Sequence, residues 1–123
     1  MIKIELIWYS KCSTCKKARK YLEDNNYNFN LRDIIEETPT KDELKVYISL
    51  SNKNINNFFN TSGLIYRELK LKDKLNDMST EEKLNLLVSN AKLIKRPILV
   101  CNNKVLVGFR EKEWSELDEN NKM

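Results

Sequence analysis

An apolar, β-prone run from Ile2 to Tyr9 passes through a short polar turn into a segment of helical period, and this succession constrains the fold more than any other feature. In the helical segment Cys15, Ala18, Tyr21 and Leu22 recur at steps of three and four, and charged residues fill the opposite face. Asn25-Asn26 ends the helix. Tyr27 to Ile34 then alternates well enough for a second strand. Strand, helix, strand in this order favours a parallel βαβ unit with a right-handed crossover.

The middle of the chain reads as helical. Thr40 with Glu43 three residues later makes a capping box, and Leu44, Tyr47 and Ile48 supply the stripe that follows. Asn54 to Phe59 predicts another short helix, broken by Thr61-Ser62-Gly63. Tyr66 to Leu75 predicts a helical or turn-rich stretch with Leu69, Leu71 and Leu75 inward. Ser79 to Glu82 is a second capping box, followed by Leu84, Leu87, Val88 and Ala91. The end reverts to strands. Ile98 to Cys101 is an apolar run after Pro97, Asn102-Asn103 suits a two-residue turn, and Lys104 to Val107 returns as the hairpin partner. Glu111 to Leu117 predicts a closing helix with Trp114 and Leu117 on one side, and Asp118 to Met123 a frayed end. The order βαβ, helical insert, ββα, with the first strand central and helices on both faces, is the thioredoxin-type arrangement. The extra helices between Thr40 and Ala91 form a lobe on it.

Composition narrows the chemistry. The chain has 123 residues, enough for one domain with a core that needs no disulfide staples. It contains no histidine, so Cys-His and Ser-His catalytic pairs are excluded. Of three cysteines, two are close and Cys101 is distant, which argues against a zinc site; no metal is expected. Two glycines cannot make a glycine-rich phosphate loop. The net charge of +4 comes from interspersed lysines and acids, which reads as a solvated surface and against direct nucleic-acid binding. No apolar run is long enough to span a bilayer, and the start lacks a signal-peptide cleavage site. A cytoplasmic location, where thiols stay reduced, is the expectation, and a monomer is expected.

Cys12 and Cys15 carry the reactive chemistry. A thiolate, not a thiol, is the nucleophile, and a free cysteine ionises only near about pH 8.5. Cys12 stands where the first strand gives way to the helix, facing unpaired N–H groups and the positive end of the helix dipole. Lys11, Lys16 and Lys17 are expected to add positive charge. Cys15, one turn later on the inward stripe, is close enough to bridge to Cys12. Cys12 is therefore expected to attack and Cys15 to resolve the adduct. Cys101, ending an apolar strand, reads as a small buried hydrophobe. Arg96-Pro97 is a second constellation: Arg96 could stabilise an anion or the thiolate, and Arg110, after Gly108, could reach the same cleft.

The segments Tyr9-Ser-Lys-Cys-Ser-Thr-Cys-Lys-Lys-Ala, Tyr66-Arg-Glu-Leu, Leu93-Ile-Lys-Arg-Pro-Ile and Val107-Gly-Phe-Arg, in that order, resemble the arsenate reductase family. This branch of the thioredoxin superfamily also contains the Spx-type transcription regulators. The resemblance implies an α/β, thioredoxin-like fold: a central four-stranded mixed sheet, βαβ…ββα, in one domain over 1–123 with the helical insert at about 40–91. It implies that Cys12 matches the cysteine that attacks arsenate, Arg96 the arginine before a cis proline at Pro97, and Arg110 the late arginine of the oxyanion site. The remaining family arginine falls at Asn60, so one charge-assisted contact of about 1.5–3 kcal/mol is missing. Those reductases typically carry one cysteine and borrow glutathione and glutaredoxin; Cys15 supplies an internal partner instead. Spx-type regulators carry CxxC and bind RNA polymerase through the C-terminal domain of its α-subunit, but continue into a basic tail. This sequence ends Glu116-Leu-Asp-Glu-Asn-Asn-Lys-Met, which weakens the regulator reading.

The sequence is nearest to the CxxC-containing, arsenate-reductase-like proteins. The expected function is thus a thiol-disulfide oxidoreductase acting on a thiol or disulfide substrate. It would hold no bound cofactor and use an external thiol reductant, glutathione with glutaredoxin or thioredoxin. Arsenate reduction and redox-switched binding to the α-subunit of RNA polymerase are the alternatives.

Overall fold

A computed structural model describes residues 3–120, with the side chains described as far as Glu116; Ile2 and the side chain of Leu117 lie outside it. Four strands form one mixed sheet in the order β2-β1-β3-β4: β1 Ile4–Trp8, β2 Asn30–Asp33, β3 Ile98–Cys101 and β4 Lys104–Val107. β1 runs parallel to β2 and antiparallel to β3, and β3 pairs antiparallel with β4. This is the thioredoxin-like sheet read from the sequence.

Strand alternation sorts the core into two faces. Leu6, Leu99 and Leu106 are in register on one face, and Ile7, Ile98 and Val107 on the other. Both faces are covered, which explains why Ile98 to Cys101 reads as a continuous apolar run. The first face packs against α1 (Ser13–Asp24), through Ala18 and Leu22, and against α6 (Glu111–Asn120), through Trp114. The second face packs against the segments between β2 and β3: α2 (Lys41–Ser51), α3 (Leu64–Glu68), α4 (Leu71–Lys74) and α5 (Thr80–Ser89). Leu44, Phe58, Phe59 and Leu87 are buried there.

Both capping boxes form. Thr40 accepts from the Glu43 N–H at 3.1 Å, and Ser79 from the Glu82 N–H at 3.1 Å. Elsewhere the local reading is corrected. The helix expected over Asn54 to Phe59 is a single 3-10 turn, Ile55–Phe58. The second strand is four residues, because Tyr27 and Phe29 pack as a connection against the α1–α6 face. Leu69, expected inward, is 40% exposed. Lys70 adopts a left-handed φ of 54°, which breaks the helical phase between α3 and α4. Leu71 and Leu75 therefore point inward while Leu69, capping α3, does not.

One ion pair ties the sheet to α2. Arg32 on β2 donates two 2.8 Å bonds to the Glu43 carboxylate, and Tyr47 donates to the same carboxylate at 3.3 Å. The Arg32 guanidinium holds the Glu43 carboxyl down at about 2, well below the ordinary carboxylate range. A depressed carboxyl adds stability that is present above the unfolded-state pKa of about 4.3 and is lost as pH falls towards the folded value. Stability is expected to drop by about 1–2 kcal/mol between about pH 4.5 and pH 2, solvent screening included. Glu43→Gln should flatten that part of a urea-unfolding pH profile; an unchanged slope in the variant would show that other carboxyls set it.

Candidate active site

The site is built where β1 ends. The Cys12 N–H donates to the Tyr9 carbonyl at 3.0 Å, which closes the turn into α1. Cys12 is the N-cap, with φ −98° and ψ 119°, and its Sγ accepts the Cys15 N–H at 3.4 Å. A sulfur thus occupies the place usually taken by a hydroxyl or carboxylate oxygen, and it satisfies one of the free N–H groups of the first turn. Cys12 is partly exposed, whereas Cys15 is fully buried.

The two thiols are driven apart electrostatically. Burial raises the Cys12 pKa, but the hydrogen bonds from Cys15 and the charge of Arg96 outweigh it, and the net shift is downward. Cys15 is pushed up to about 12, chiefly by burial and further by its hydrogen bond with Cys12 and the Cys12 charge. A pair shifted in opposite directions suits one partner to attack and the other to wait as a thiol. The helpful cation is Arg96, rather than the lysines beside Cys12 in sequence. Lys11, Lys16 and Lys17 are exposed to solvent, where water screens them, and they do not line the cleft.

Arg96 is held from three sides. Its Nη1 donates to the carbonyls of Lys92 at 3.2 Å and Ile94 at 3.5 Å, and its guanidinium lies 5.0 Å from the centre of the Tyr9 ring. The Arg96-Pro97 peptide is cis, as the family resemblance implies. The Pro97 carbonyl accepts the Gly108 N–H at 2.8 Å, which brings the end of β4 alongside Arg96.

A cleft of about 530 Å3 opens over Cys12. Arg96, Arg110 and Asn60, all singled out from the sequence, line it together. Asn60 turns its amide towards the fold: its Nδ2 donates to the Lys92 carbonyl at 3.4 Å, and its N–H to the Leu93 carbonyl at 2.7 Å. The neighbouring loop is steadied by Arg67, which donates to the Ser62 carbonyl at 2.9 Å. Lys53 and Lys95 also line the cleft and were not singled out from the sequence. Lys95 adjoins Arg96, so the dibasic pair before the strand was a signal for it. Lys53 lies in the connection after α2, and only the tertiary fold brings it here. Cys101 is buried on β3, within the core of the α1–α6 face, away from this cleft.

A thioredoxin-like sheet with a CxxC pair capping the first helix, and a cis proline beside it, defines a protein of the thioredoxin superfamily. Within it, the chain belongs to the ArsC family, whose model matches residues 7–117. It is 49% identical over 109 residues to protein YusI of Bacillus subtilis, covering 89% of this chain and 92% of that one. It is 34% identical over 111 residues to the regulatory protein MgsR of the same organism, covering 90% and 86%. Among solved structures, an ArsC family related protein from Bacteroides fragilis matches with a TM-score of 0.90 at 47% identity, covering 93% of this chain and 96% of that one.

Proposed function

We propose that the chain is a cytoplasmic thiol-disulfide oxidoreductase in which the Cys12 thiolate attacks a disulfide and Cys15 resolves the mixed disulfide. The observation that carries this reading is the contrast within the pair. Cys12 is partly exposed and biased towards thiolate by the hydrogen bonds from the Cys15 side chain and N–H and by Arg96, while Cys15 is buried and held as a thiol. No bound cofactor is needed, because the two sulfurs supply both electrons. A glutathione-glutaredoxin or thioredoxin system would return the pair to the dithiol.

The pH dependence of alkylation tests it. Iodoacetamide is expected to modify Cys12 with a midpoint below the ordinary thiol value of about 8.5. Arg96→Met should raise that midpoint, because it removes a charge that favours the anion. A Cys12 that titrates as an ordinary thiol, or ignores the Arg96 substitution, sinks the reading. Arsenate is a weaker substrate on this view, since Asn60 brings an amide where the family site carries a third arginine.

The similarity to MgsR, named a regulatory protein, favours a second reading: a redox-switched regulator bound to the α-subunit of RNA polymerase. A pull-down with the C-terminal domain of that polypeptide under oxidising and reducing conditions separates the two. Binding in neither state removes the regulator reading.

A further inference from the structure

Resting on the oxidoreductase reading above, we infer that Lys95 selects among substrates, and that the substrate is a low-molecular-weight disulfide bearing an anionic group, such as a carboxylate, close to its sulfur.

The cleft over Cys12 is lined by four cations, Lys53, Lys95, Arg96 and Arg110, and by no carboxylate among the described residues. Of the four, Lys53 alone is paired with a carboxylate among the described residues: Glu113 of α6 lies 3.3 Å from its ammonium. Lys95 and Arg110 form no salt bridge with a described carboxylate, and Arg96 donates to two main-chain carbonyls and faces the Cys12 sulfur, whose anion it favours. Like charges gathered in one concave site repel one another and do not help the fold. Most of the chain's unpaired cations, such as Lys45, Lys72 and Lys104, stand on the exposed surface, whereas these four line one concave site over the nucleophile. The unbalanced charge is therefore matched by a ligand.

Lys95 is placed by the backbone around it. Its N–H donates to the Phe58 carbonyl at 2.7 Å, which anchors it to the insert. Gly108, at a left-handed φ of 77°, presents no side chain beneath it. A Cβ at that position would stand 3.0 Å from Lys95 Cε and 3.9 Å from its Nζ, so the lysine stem crosses directly over the glycine and carries its ammonium into the cleft. The size of the cleft points to a small molecule, since about 530 Å3 lies within the range of small-ligand pockets.

The step balances without a further reactant. The Cys12 thiolate attacks one sulfur of the substrate, forms a mixed disulfide and expels the first thiolate. Cys15 loses its proton and attacks Cys12 Sγ, which expels the second thiolate and leaves a Cys12–Cys15 disulfide. The dithiol gives up two electrons and the substrate disulfide takes them. The anionic group of the substrate is held by Lys95 and Arg110 during the first attack.

Single-turnover kinetics of the reduced, full-length chain test this with two aromatic disulfides. One is dithiobis(nitrobenzoate), with a carboxylate on each ring; the other is dithiodipyridine, uncharged at neutral pH. Each rate is divided by that of free cysteine thiolate with the same reagent, and the quantity read is the ratio of the two normalised rates. The unaltered chain is expected to favour the anionic reagent by about tenfold, and raising salt from about 0.02 to about 0.5 M should collapse the preference. Lys95→Met should lower it about fivefold, whereas Lys104→Met, which removes the same charge from the exposed end of β4, should leave it in place. Equal normalised rates, a preference indifferent to salt, or equal effects of the two lysine substitutions would overturn the inference while Cys12 remains an active nucleophile. If Lys95→Met does not fold, the salt dependence of the unaltered chain decides alone. If neither reagent reacts faster with Cys12 than with free cysteine, the oxidoreductase reading itself falls.

Discussion

Trp114→Ala is expected to destabilise the protein by about 3–5 kcal/mol, a large part of the roughly 5–15 kcal/mol that holds a domain of this size folded. Trp114 is fully buried and is the largest side chain in the core between the sheet and the α1–α6 layer. Its ring meets Phe109 edge-on at 4.8 Å and Tyr21 at 5.8 Å, so one residue joins α6, the end of the β3–β4 hairpin and α1. Its indole N–H is buried without a hydrogen-bond partner. Trp114→Phe should therefore cost less, about 1–2 kcal/mol, because it keeps an aromatic ring and removes an unsatisfied donor. Urea unfolding would measure both. A loss under about 1 kcal/mol for the alanine variant would mean that this core closes without α6. The effect also reaches the site, since Phe109 packs edge-on against Trp114 and lines the cleft beside Arg110.

The scaffold was legible wherever one physical pattern decided it alone. The apolar runs of β1 and β3, the two capping boxes and the Asn102-Asn103 turn, with Asn102 at φ 54°, are local statements, and each appears in the fold. Cys12, Arg96 and Pro97 could be read because a motif and its neighbours marked them. Errors arose where tertiary packing overrode the local period. Leu69 fits a helical stripe only if the helix continues, and Lys70 stops it. The charge around Cys12 was the subtler case. Sequence adjacency pointed to Lys11, Lys16 and Lys17, and the Arg96-Pro97 motif offered Arg96 as well; of these it is Arg96, arriving from the start of β3 on the far side of the insert, that acts on the thiol. Lys53 shows the same limit: no local pattern marks it, because its position depends on how α2 and α6 meet the cleft.

Cys12→Ser and Cys15→Ser should separate the two halves of the reaction by orders of magnitude. Serine at position 12 has no thiolate to offer, and disulfide reduction should fall by at least about a thousandfold. Serine at position 15 leaves the first step in place. The N–H that Cys12 accepts at 3.4 Å belongs to the backbone of residue 15, so the substitution keeps that bond, the serine hydroxyl can donate where the Cys15 thiol did, and Arg96 stays beside the sulfur. Cys15→Ser should therefore still attack, then stall with one mixed disulfide per chain at Cys12, while multiple turnover drops by about a hundredfold or more. The stall follows from how Cys15 is held. Part of what pushes its pKa to about 12 is the charge of the Cys12 thiolate. Once Cys12 is bonded to substrate sulfur that charge is gone, and Cys15 becomes easier to ionise at the moment it is needed. Order of action is thus written into the coupling: Cys15 is a poor nucleophile while Cys12 is free and a better one after Cys12 has reacted. Mass spectrometry of the trapped species decides it. An adduct on Cys12 in the Cys15→Ser protein is the expected result, whereas an adduct on Cys15 in the Cys12→Ser protein, formed at a comparable rate, would reverse the roles.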